Sequence, residues 1–481
     1  MVEDEGSTWT PQTTARSTGE QRRPLTITTG SPRPGPWSPR RLVAGGVRSS
    51  VLTLASCALG TGPLALPYAM KSTGLGAGAF LLVLSTGLAA LGGDVLIRCA
   101  AEQQHHIKIS SPRSMANEDL RARQLAVRSW TYLLEMHFGP RASVFLDVLL
   151  AFLGSGIIVM YLVFMAQFLG AFLSNVRLIA HPSRKVLISF CAVASFPLSL
   201  PGSIGKMRFM AAWVYLVLVL LCVLTSLGLA TCEHPTSSVE VVNLSLTGTL
   251  RAFCLFFFAQ MYHFNLYTIF AGLSAPYEWS PNYGLDRSLA DIVRMRKIIR
   301  LTATATIIIC SVASVTGYVA WRSDTQQNII LNYDPSKCAP GTMAVTLALQ
   351  VMLSLNTLVS IPLNVVPTRV SILRLLGLVV SSRVAERLES QPFRYLLTLA
   401  MIASFALIAM LLTAVAEIIS FLSGSIGTVI AFLLPWIFYK KSKVNEDTPL
   451  MRLLVLFVLG LSTVAGFGNV IVLVVSKLLG D

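Results

Sequence analysis

Charged residues are scarce in this chain: Asp, Glu, Lys and Arg make up 13% of its 481 residues, against about 25% in a soluble globular protein. This scarcity excludes a soluble enzyme, a disordered chain and a nucleic-acid-binding domain, so we expect no nucleic acid among the partners. Hydrophobic residues make up 54% of the chain, and its mean hydropathy is +0.66. A chain of this composition has lipid as its solvent, which predicts a membrane protein with many spans.

The residue patterns of most enzymes are missing as well. None of the eight cysteines belongs to a CxxC pair, so neither a zinc site nor a thioredoxin-type site is expected. The sequence has no Ser/His/Asp nucleophile set, no pair of mid-membrane carboxylates, no phosphate-cradling loop and no mid-span lysine. We therefore expect no enzyme activity, no metal site and no resident cofactor.

Apolar runs long enough to cross a bilayer, about 20 residues each, recur along the chain. Their number predicts an all-α integral membrane fold with about eleven spans, of which the fourth is short. The first run begins behind a long polar segment, so a cleavable signal peptide is not expected. The predicted spans lie near residues 49–70, 76–97, 142–173, 185–200, 209–231, 252–273, 298–320, 342–373, 394–416, 418–439 and 453–476.

Basic residues divide unequally between the two sides of the predicted membrane. With the N-terminus inside and the spans alternating, 30 of the 38 Lys and Arg fall inside and eight fall outside. Because cytosolic loops carry the excess of Lys and Arg, this split predicts a cytosolic N-terminus and a C-terminus that is outside or luminal. Both the plasma membrane and a vacuolar or lysosomal membrane fit this topology.

Two outside loops carry residues typical of that side. Asn243, in the sequon between spans 5 and 6, is a candidate for N-glycosylation. Cys232 in the same loop and Cys338 in the loop between spans 7 and 8 both face the oxidising side. They form either a disulfide or two free thiols.

Two regions are too polar to span a membrane. Residues 1–47 are rich in Pro, Ser, Thr, Gly and Arg with almost no aliphatic side chains, which predicts a disordered cytosolic tail before a membrane domain at 48–476. Residues 102–140 form a basic cytosolic loop, and a short amphipathic helix is predicted around Trp130–Phe138.

The first span contains residues that interrupt a helix. Gly60 and Gly62 free the backbone from helical geometry, while Pro63 and Pro67 remove two backbone donors. Unwound backbone at bilayer depth persists only where it lines a cavity or is buried in protein. Its free N–H groups suit a carboxylate and its free carbonyls suit an ammonium or a cation, and an amino acid offers both charges.

The sixth span carries a counterpart five spans later. A polar interruption at 259–265 lies within an aromatic run and includes His263, the one histidine predicted inside a span. An inverted repeat of five plus five spans would place a second broken helix here. A proline kink in span 1 and a structural histidine in span 6 are the alternatives for each feature taken alone.

Three carboxylates lie near the ends of predicted spans, namely Asp94, Asp147 and Glu417. Because ionised groups are costly within the bilayer, each needs a partner or the interface. We predict a salt bridge or an interfacial cap for each of them rather than a role in transport.

The two breaks and the motifs around them resemble the amino acid/auxin permease family, which includes neutral, proton-coupled and vesicular amino acid transporters. Residues 60–69, reading GTGPLALPYA, look like the family's Gly-Ser-Gly-Ile-Leu-Gly-Leu-Pro-Tyr-Ala. The resemblance covers about residues 48–476 and is specific through the order and spacing of its motifs. Further similar stretches lie at 146–149 with 161–163, at 258–259 with His263 and Asn265, and at 317–318, 328–333, 362–369 and 433–435.

This resemblance implies an inverted-repeat transporter fold in which spans 1–5 recur upside-down as spans 6–10 and span 11 is peripheral. Substrate would bind against the breaks in spans 1 and 6, between walls formed by spans 3 and 8. The substrate-binding residues carried over from the family are Cys57, Ala58, Leu59, Gly60, Thr61, Gly62, Tyr161, Phe258, Ala259, Gln260 and His263.

The coupling ion is open between sodium and a proton. Sodium-coupled members usually have Asn where this chain has Ser56, and a cation site would here consist of Ser56, the Leu59 carbonyl, Ser354 and Thr357. Proton coupling would depend on His263, since the pKa of a histidine lies in the useful range. Pro63 replaces the family's usual Ile and shifts where the helix breaks.

The function expected from these observations is secondary active transport of amino acids by alternating access, coupled to sodium or protons. Neutral substrates are favoured slightly, because the predicted site is mostly apolar and has no unpaired acid. The alternative is a membrane amino acid sensor that uses the same pocket and signals through its N-terminal tail. The expected partners are an amino acid and the lipid bilayer, while the sequence identifies no protein partner.

Overall fold

A computed structural model of the chain describes residues 46–110, 129–139, 141–200, 208–273, 287–379, 390–412, 414–442 and 448–479. Helices dominate these ranges, and almost the whole of the tail predicted at 1–47 lies outside them. In chain order the helices are α1 (Val47–Leu59), α2 (Leu66–Thr73), α3 (Leu75–Ser110), α4 (Trp130–Phe138), α5 (Ala142–Asn175), α6 (Arg184–Leu198), α7 (Arg208–Thr231), α8 (Leu246–Phe258), α9 (His263–Ala271), α10 (Arg287–Trp321), α11 (Pro340–Val379), α12 (Gln391–Leu411), α13 (Val415–Leu422), α14 (Leu434–Lys441) and α15 (Pro449–Leu479).

Ten of the predicted spans correspond to segments long enough to cross a membrane. Among the described residues, nine helical segments are long and apolar enough, and the bent pair α1 and α2 makes ten. The predicted fourth span corresponds to α6, whose 15 residues reach only about 22 Å, less than the bilayer core of about 30 Å. Pro197 lies in its last turn, where the ring restricts the preceding backbone.

The first span is broken where its sequence predicts. Helix α1 ends at Leu59, a 3₁₀ turn runs from Gly62 to Ala65, and the two halves meet at an angle of 41°. Gly60 has φ +39°, a conformation that L side chains rarely adopt. The glycine pair and the prolines therefore act together to open the helix.

The sixth span is broken as well, between α8 and α9. From Ala259 to Tyr262 the helix gives way to tight turns, in which the Gln260 amide donates to the Phe257 carbonyl at 2.9 Å. The tenth span, opposite this break, runs from α13 to α14 through two π-helical stretches, Ser423–Gly427 and Val429–Leu433. A Cβ placed on Gly427 would lie 2.8 Å from the Met261 sulfur, so span 10 packs directly on the break.

Neighbouring spans pack closely against both halves of the broken first span. The most extensive contact in the bundle joins α11 to α5, that is, span 8 to span 3. Helix α1 packs on α10 and α7, whereas α2 packs on α8 and α10. Span 1 thus packs on α10 through both halves, whereas α7 contacts its first half and α8 contacts its second half.

All three carboxylates near span ends form salt bridges, which confirms their prediction. Asp94 on α3 binds Arg98 in its own helix at 2.7 Å and Arg296 on α10 at 2.6 Å. The other two carboxylates also pair across helices: Asp147 lies 3.6 Å from Arg374, and Glu417 lies 2.9 Å from Lys477.

The loops outside the spans hold three predicted features. Helix α4 covers Trp130–Phe138 as predicted, because the Ser129 side chain accepts from the Tyr132 amide at its start and Gly139 ends it. Cys232 and Cys338 are joined by a disulfide. Asn243, the candidate glycosylation residue, is exposed, and its side chain donates to Glu240 at 3.2 Å.

Candidate functional site

The breaks in spans 1 and 6 meet at the centre of the bundle. A Cβ placed on Gly62 would lie 3.1 Å from both the Cα and the Cβ of Ala259, so the two unwound segments touch backbone to backbone. A side chain at Gly62 would require Ala259 to give way by a few tenths of an ångström. The structure thus brings together two predicted site segments that lie about 200 positions apart in the sequence.

Spans 3 and 8 supply the wall that faces the break. A Cβ on Gly60 would lie 3.6 Å from the Tyr161 hydroxyl on α5, and this hydroxyl lies beside Cys57 of α1 and Ser360 of α11. From the sequence, Ser360 is one of four span 8 residues whose oxygens lie near the predicted cation site, with Ser354, Asn356 and Thr357, and the structure places it beside Tyr161. Gly60, Cys57 and Tyr161 therefore share one space, as the family pattern implies.

The unwound backbone of span 1 has unused hydrogen-bonding groups. Within the described residues, the amides of Thr61 and Gly62 donate to no backbone carbonyl, and the Leu59 carbonyl accepts no backbone amide. The Thr61 hydroxyl is buried and also has no partner in this part of the chain. Buried polar groups are nearly always hydrogen-bonded, so this cluster of unused groups indicates a place where a polar molecule binds.

Gln260 lies at the break of span 6, and a hydrogen bond from another span holds its side chain. Its Oε1 accepts a hydrogen bond from Thr306 of α10, while its Nε2 is buried without a partner in the described structure. Thr306 was not predicted, because the pairing joins residues 46 positions apart. The sequence did contain one indication of a polar contact here, because Thr302 and Thr306 lie one helical turn apart in an otherwise apolar span.

His263 begins α9, and its ring contacts α3 of span 2. Its Nε2 lies 3.0 Å from the Ala89 carbonyl of α3, and its ring stacks on Tyr262 at 5.0 Å between centroids. The side chain is fully buried, and its Nδ1 has no partner in the described residues. Phe258, the last residue of α8, is also buried and lies on the other flank of the break.

The four groups predicted for a cation lie on spans 1 and 8. The Ser56 hydroxyl donates to the Thr53 carbonyl, and the Ser354 hydroxyl donates to the Gln350 carbonyl, each within its own helix. The Thr357 hydroxyl is within 3.0 Å of two carbonyls of α11. These hydroxyl oxygens keep free lone pairs, so their chemistry suits a hard cation.

The site is open towards one side of the bundle, which we call the α1 side. Cys57 lies deep between the spans, yet its side chain is exposed, so it lines an internal space. Its neighbours Ala58 and Leu59 are buried. Thr53, one turn earlier on the same face of α1, is exposed too.

The opposite side, the loop side, is covered by the segment at 322–333 between α10 and α11. Three hydrogen bonds tie this segment to spans 1, 3 and 10. They are Lys71 Nζ to the Thr325 carbonyl at 3.3 Å, Asn328 Nδ2 to Gln167 Oε1 at 2.9 Å, and the Ala416 amide to Gln327 Oε1 at 3.1 Å. The segment thus bridges the ends of three spans above the break.

Comparison with known proteins gives a family and a fold. Residues 44–476 match the family described as transmembrane amino acid transporter protein. AAT1 of Toxoplasma gondii, provisionally named an amino acid transporter, is 29% identical over 72% of this chain and 43% of its own length. The amino acid transporter AVT6E of Arabidopsis thaliana is 21% identical over 60% of this chain and 55% of its own length. The chain therefore spans about half the length of these curated relatives.

A solved structure shares the architecture. The crystal structure of the Eremococcus coleocola manganese transporter, in complex with an aromatic bis-isothiourea substituted compound, superposes with a TM-score of 0.51 and 9% sequence identity. The match covers 90% of this chain and 88% of that chain. At this identity the likeness shows the fold alone, which is the inverted-repeat transporter fold with broken first and sixth spans.

Proposed function

This chain belongs to the transmembrane amino acid transporter family, and we propose that it is a secondary active transporter that carries amino acids by alternating access. The observation that carries this proposal is the contact between the two unwound segments at Gly62 and Ala259. At this point the free amides and carbonyls of span 1 lie against Ala259, and Gln260 follows Ala259 in the chain.

The chemistry of this space fits a neutral amino acid. The substrate carboxylate would bind the amides of Thr61 and Gly62, which lie at the positive start of the second half of span 1. The ammonium would bind carbonyls freed at the end of α1. The side chains around these groups, Cys57, Tyr161 and Phe258, carry no charge that would select an acidic or basic substrate.

Alternating access is supported by the difference between the two sides. The α1 side is open as far as Cys57, while the 322–333 segment covers the loop side. By the excess of basic residues, the α1 side is cytosolic and the loop side is outside or luminal. In this proposal the structure corresponds to the state that exchanges substrate with the cytosol.

The coupling ion is proposed to be sodium or a proton, and the two choices use different residues. Sodium would bind Ser56, the Leu59 carbonyl, Ser354 and Thr357, whereas a proton would bind His263. His263→Gln separates them: Gln keeps a donor for the Ala89 carbonyl but does not titrate. A proton-coupled carrier should lose the pH dependence of its uptake, and a sodium-coupled carrier should keep it.

Uptake into proteoliposomes tests the proposed function. A mixture of radiolabelled amino acids is offered with and without inward sodium and proton gradients, and liposomes without protein serve as the control. Accumulation that collapses when one gradient is removed would establish a coupled transporter and identify its ion. Saturable amino acid binding without uptake under any gradient would overturn transport and favour a sensor.

A further inference from the structure

An apolar cavity opens between spans 3, 9, 10 and 11 of the bundle. Its volume is about 640 Å³, which is within the range of small-molecule sites. Helices α5, α12, α13 and α15 supply its wall, and none of its described lining residues belongs to the breaks in spans 1 and 6. The cavity is therefore separate from the central site. Most of its wall is apolar, and examples are Phe152, Val159, Phe405, Phe421, Leu473 and Val474.

The charged groups of the wall lie at one end of the cavity. Glu417 in the first turn of α13 and Lys477 in the last turn of α15 form an ion pair at 2.9 Å. Both turns lie on the loop side, where span 10 begins and span 11 ends. Ser155, the other polar side chain among the described lining residues, donates to the Ala151 carbonyl of its own helix at 2.6 Å. The cavity thus has a polar end near the lipid headgroups and an apolar body that extends into the bilayer.

The cavity is open to lipid between spans 9 and 11. Helix α12 packs on α5 and α6, whereas α15 packs on α8 and on span 10, so the cavity lies in the gap between α12 and α15. Ile408 on α12 and Val474 on α15 line this gap, and each is exposed although it lies within a membrane span. Exposed surface at this depth faces hydrocarbon rather than water. A ligand would therefore enter from the bilayer, which makes a membrane lipid the occupant that fits.

The width of the cavity exceeds that of a single lipid chain. Its wall follows α5 from Phe152 to Val159, a rise of about 10 Å. Dividing the volume of 640 Å³ by this length gives a cross-section of about 60 Å². A hydrocarbon chain needs only about 20 Å², because non-bonded carbons pack about 4 Å apart. The space is therefore suited to a broad and rigid ring system.

The ion pair at the polar end is electrically neutral and still has hydrogen-bonding capacity. It uses one carboxylate oxygen, Oε2 of Glu417, and the Lys477 ammonium has three donors. An anionic headgroup would be repelled by Glu417 and a cationic headgroup by Lys477. An uncharged hydroxyl, in contrast, can donate to the carboxylate and accept from the ammonium. This end of the cavity therefore favours a lipid whose head is a hydroxyl.

We propose that this cavity is a binding site for a sterol of the bilayer. The sterol hydroxyl lies between Glu417 and Lys477, and the fused rings pack against Phe152, Phe421 and Val474. A sterol combines the features that the cavity requires, namely an uncharged hydroxyl at one end, a rigid apolar body and a source in the membrane. The proposal concerns the binding of a lipid and does not depend on which solute the chain carries.

Bound sterol would also hold span 10 in place. Phe421 and Leu422 line the cavity and end α13, directly before the π-helical stretch Ser423–Gly427. The Phe421 ring lies 6.2 Å from that of Phe152 on α5, measured between centroids, and the Leu422 side chain contacts α5 at Gly156. A sterol adds contacts to this junction of spans 3 and 10. We therefore expect its binding to raise the melting temperature of the chain.

Saturable binding of tritiated cholesterol to the purified full chain in detergent tests the proposal. The wild type should bind one cholesterol per chain. In Val474→Trp the indole fills the apolar body of the cavity, so the affinity should fall about tenfold or more. Val464→Trp is the matched control and should bind as the wild type does, because Val464 lies on the same helix, is 69% exposed and does not line the cavity. Wild-type binding by Val474→Trp, or a wild type without saturable binding, would overturn the proposal.

The place of the hydroxyl is tested without filling the cavity. Cholesterol methyl ether cannot donate to Glu417, so it should compete about tenfold more weakly than cholesterol in the wild type. In the double variant Glu417→Leu with Lys477→Leu, cholesterol should bind as weakly as the ether, and the ether should lose nothing further. An ether that competes as well as cholesterol in the wild type would overturn the assignment of the ion pair.

Two further results separate a sterol site from other effects of lipid. The mirror-image enantiomer of cholesterol alters a bilayer as cholesterol does but does not fit a chiral site. In lipid nanodiscs, cholesterol should therefore raise the melting temperature of the wild type more than its enantiomer does, and an equal rise would overturn the site. A phospholipid that co-purifies at one per chain and that cholesterol does not displace would also overturn the proposal, since the cavity would then hold an acyl chain.

Discussion

The contact between Gly62 and Ala259 predicts a large effect from adding one methyl group. In Gly62→Ala the new Cβ would lie 3.1 Å from two atoms of Ala259, so the breaks in spans 1 and 6 must separate by a few tenths of an ångström. The φ of Gly62 is outside the left-handed region, so the substitution adds no backbone strain. The effect of the methyl group is therefore purely steric.

The size of this effect follows from the cost of overpacking. An extra methyl in a close-packed region costs about 1–3 kcal/mol. If this cost falls on the state in which the two breaks touch around the substrate, the apparent affinity or rate of uptake falls about 5- to 150-fold. Gly62→Val should abolish uptake, because its two methyl groups have no space at all.

Initial rates of amino acid uptake into proteoliposomes measure this prediction, with the melting temperature of each purified variant as the check on folding. Gly87→Ala is the matched control, since a Cβ there has open space within 4 Å. Adding Ala259→Gly to Gly62→Ala removes one of the two clashing atoms and should restore part of the uptake. Wild-type uptake by Gly62→Ala would refute the reasoning, because the two breaks would then not touch during transport.

Three further predictions concern other parts of the molecule. Cys57, the exposed free cysteine among the described ones, should react with an impermeant maleimide from the α1 side only, and substrate should slow this reaction. Asp94→Asn should lower the free energy of unfolding by about 1–3 kcal/mol, because Asp94 pairs with two arginines. Asp147→Asn should lower it by at most about 1 kcal/mol, because the side chain of its partner Arg374 is 66% exposed. Replacing Cys232 and Cys338 by Ser should lower the free energy of unfolding by about 2–5 kcal/mol and remove the effect of reductant on the melting temperature. A wild-type melting temperature in Asp94→Asn or in the Cys-to-Ser variant would contradict the corresponding prediction.

Features that depend on local sequence were the ones that could be predicted. The break in span 1 follows from Gly60 and Pro63, which act on their own backbone, and α4 follows from the Ser129 cap and the Gly139 terminus. Salt bridges could be predicted for the carboxylates near span ends from the free-energy cost of an ionised group in the bilayer alone. Their partners could not be identified, because Arg296 lies 202 positions from Asp94.

Features that depend on distant contacts were missed. Thr306 orients Gln260 through a hydrogen bond between two spans. The 322–333 segment reaches spans 3 and 10 through the side-chain amides of Asn328 and Gln327, which look like ordinary loop residues in the sequence, and span 1 through the Thr325 carbonyl. The two π-helical stretches of span 10 were also not foreseen, and they occur where Gly424 and Gly427 pack on span 11 and on Met261. In each case the determining partner is brought close only by the fold.

The hydrogen bonds that hold the cover on the loop side are weak enough to open in the proposed alternating access. Four hydrogen bonds between described residues hold the 322–333 segment to the spans, three between neutral groups and one from an ammonium. The fourth joins the Tyr333 hydroxyl to the Leu224 carbonyl of α7 at 3.4 Å. At about 1 kcal/mol for each neutral bond and up to about 3 kcal/mol for the charged one, their total is of the order of 4–6 kcal/mol. A ligand must supply about 5.5 kcal/mol of differential binding to move a two-state equilibrium from 1:99 to 99:1. If the proposed alternating access holds, these hydrogen bonds are of a size that the binding of a ligand offsets, whereas a much stronger cover would hold the carrier in one state.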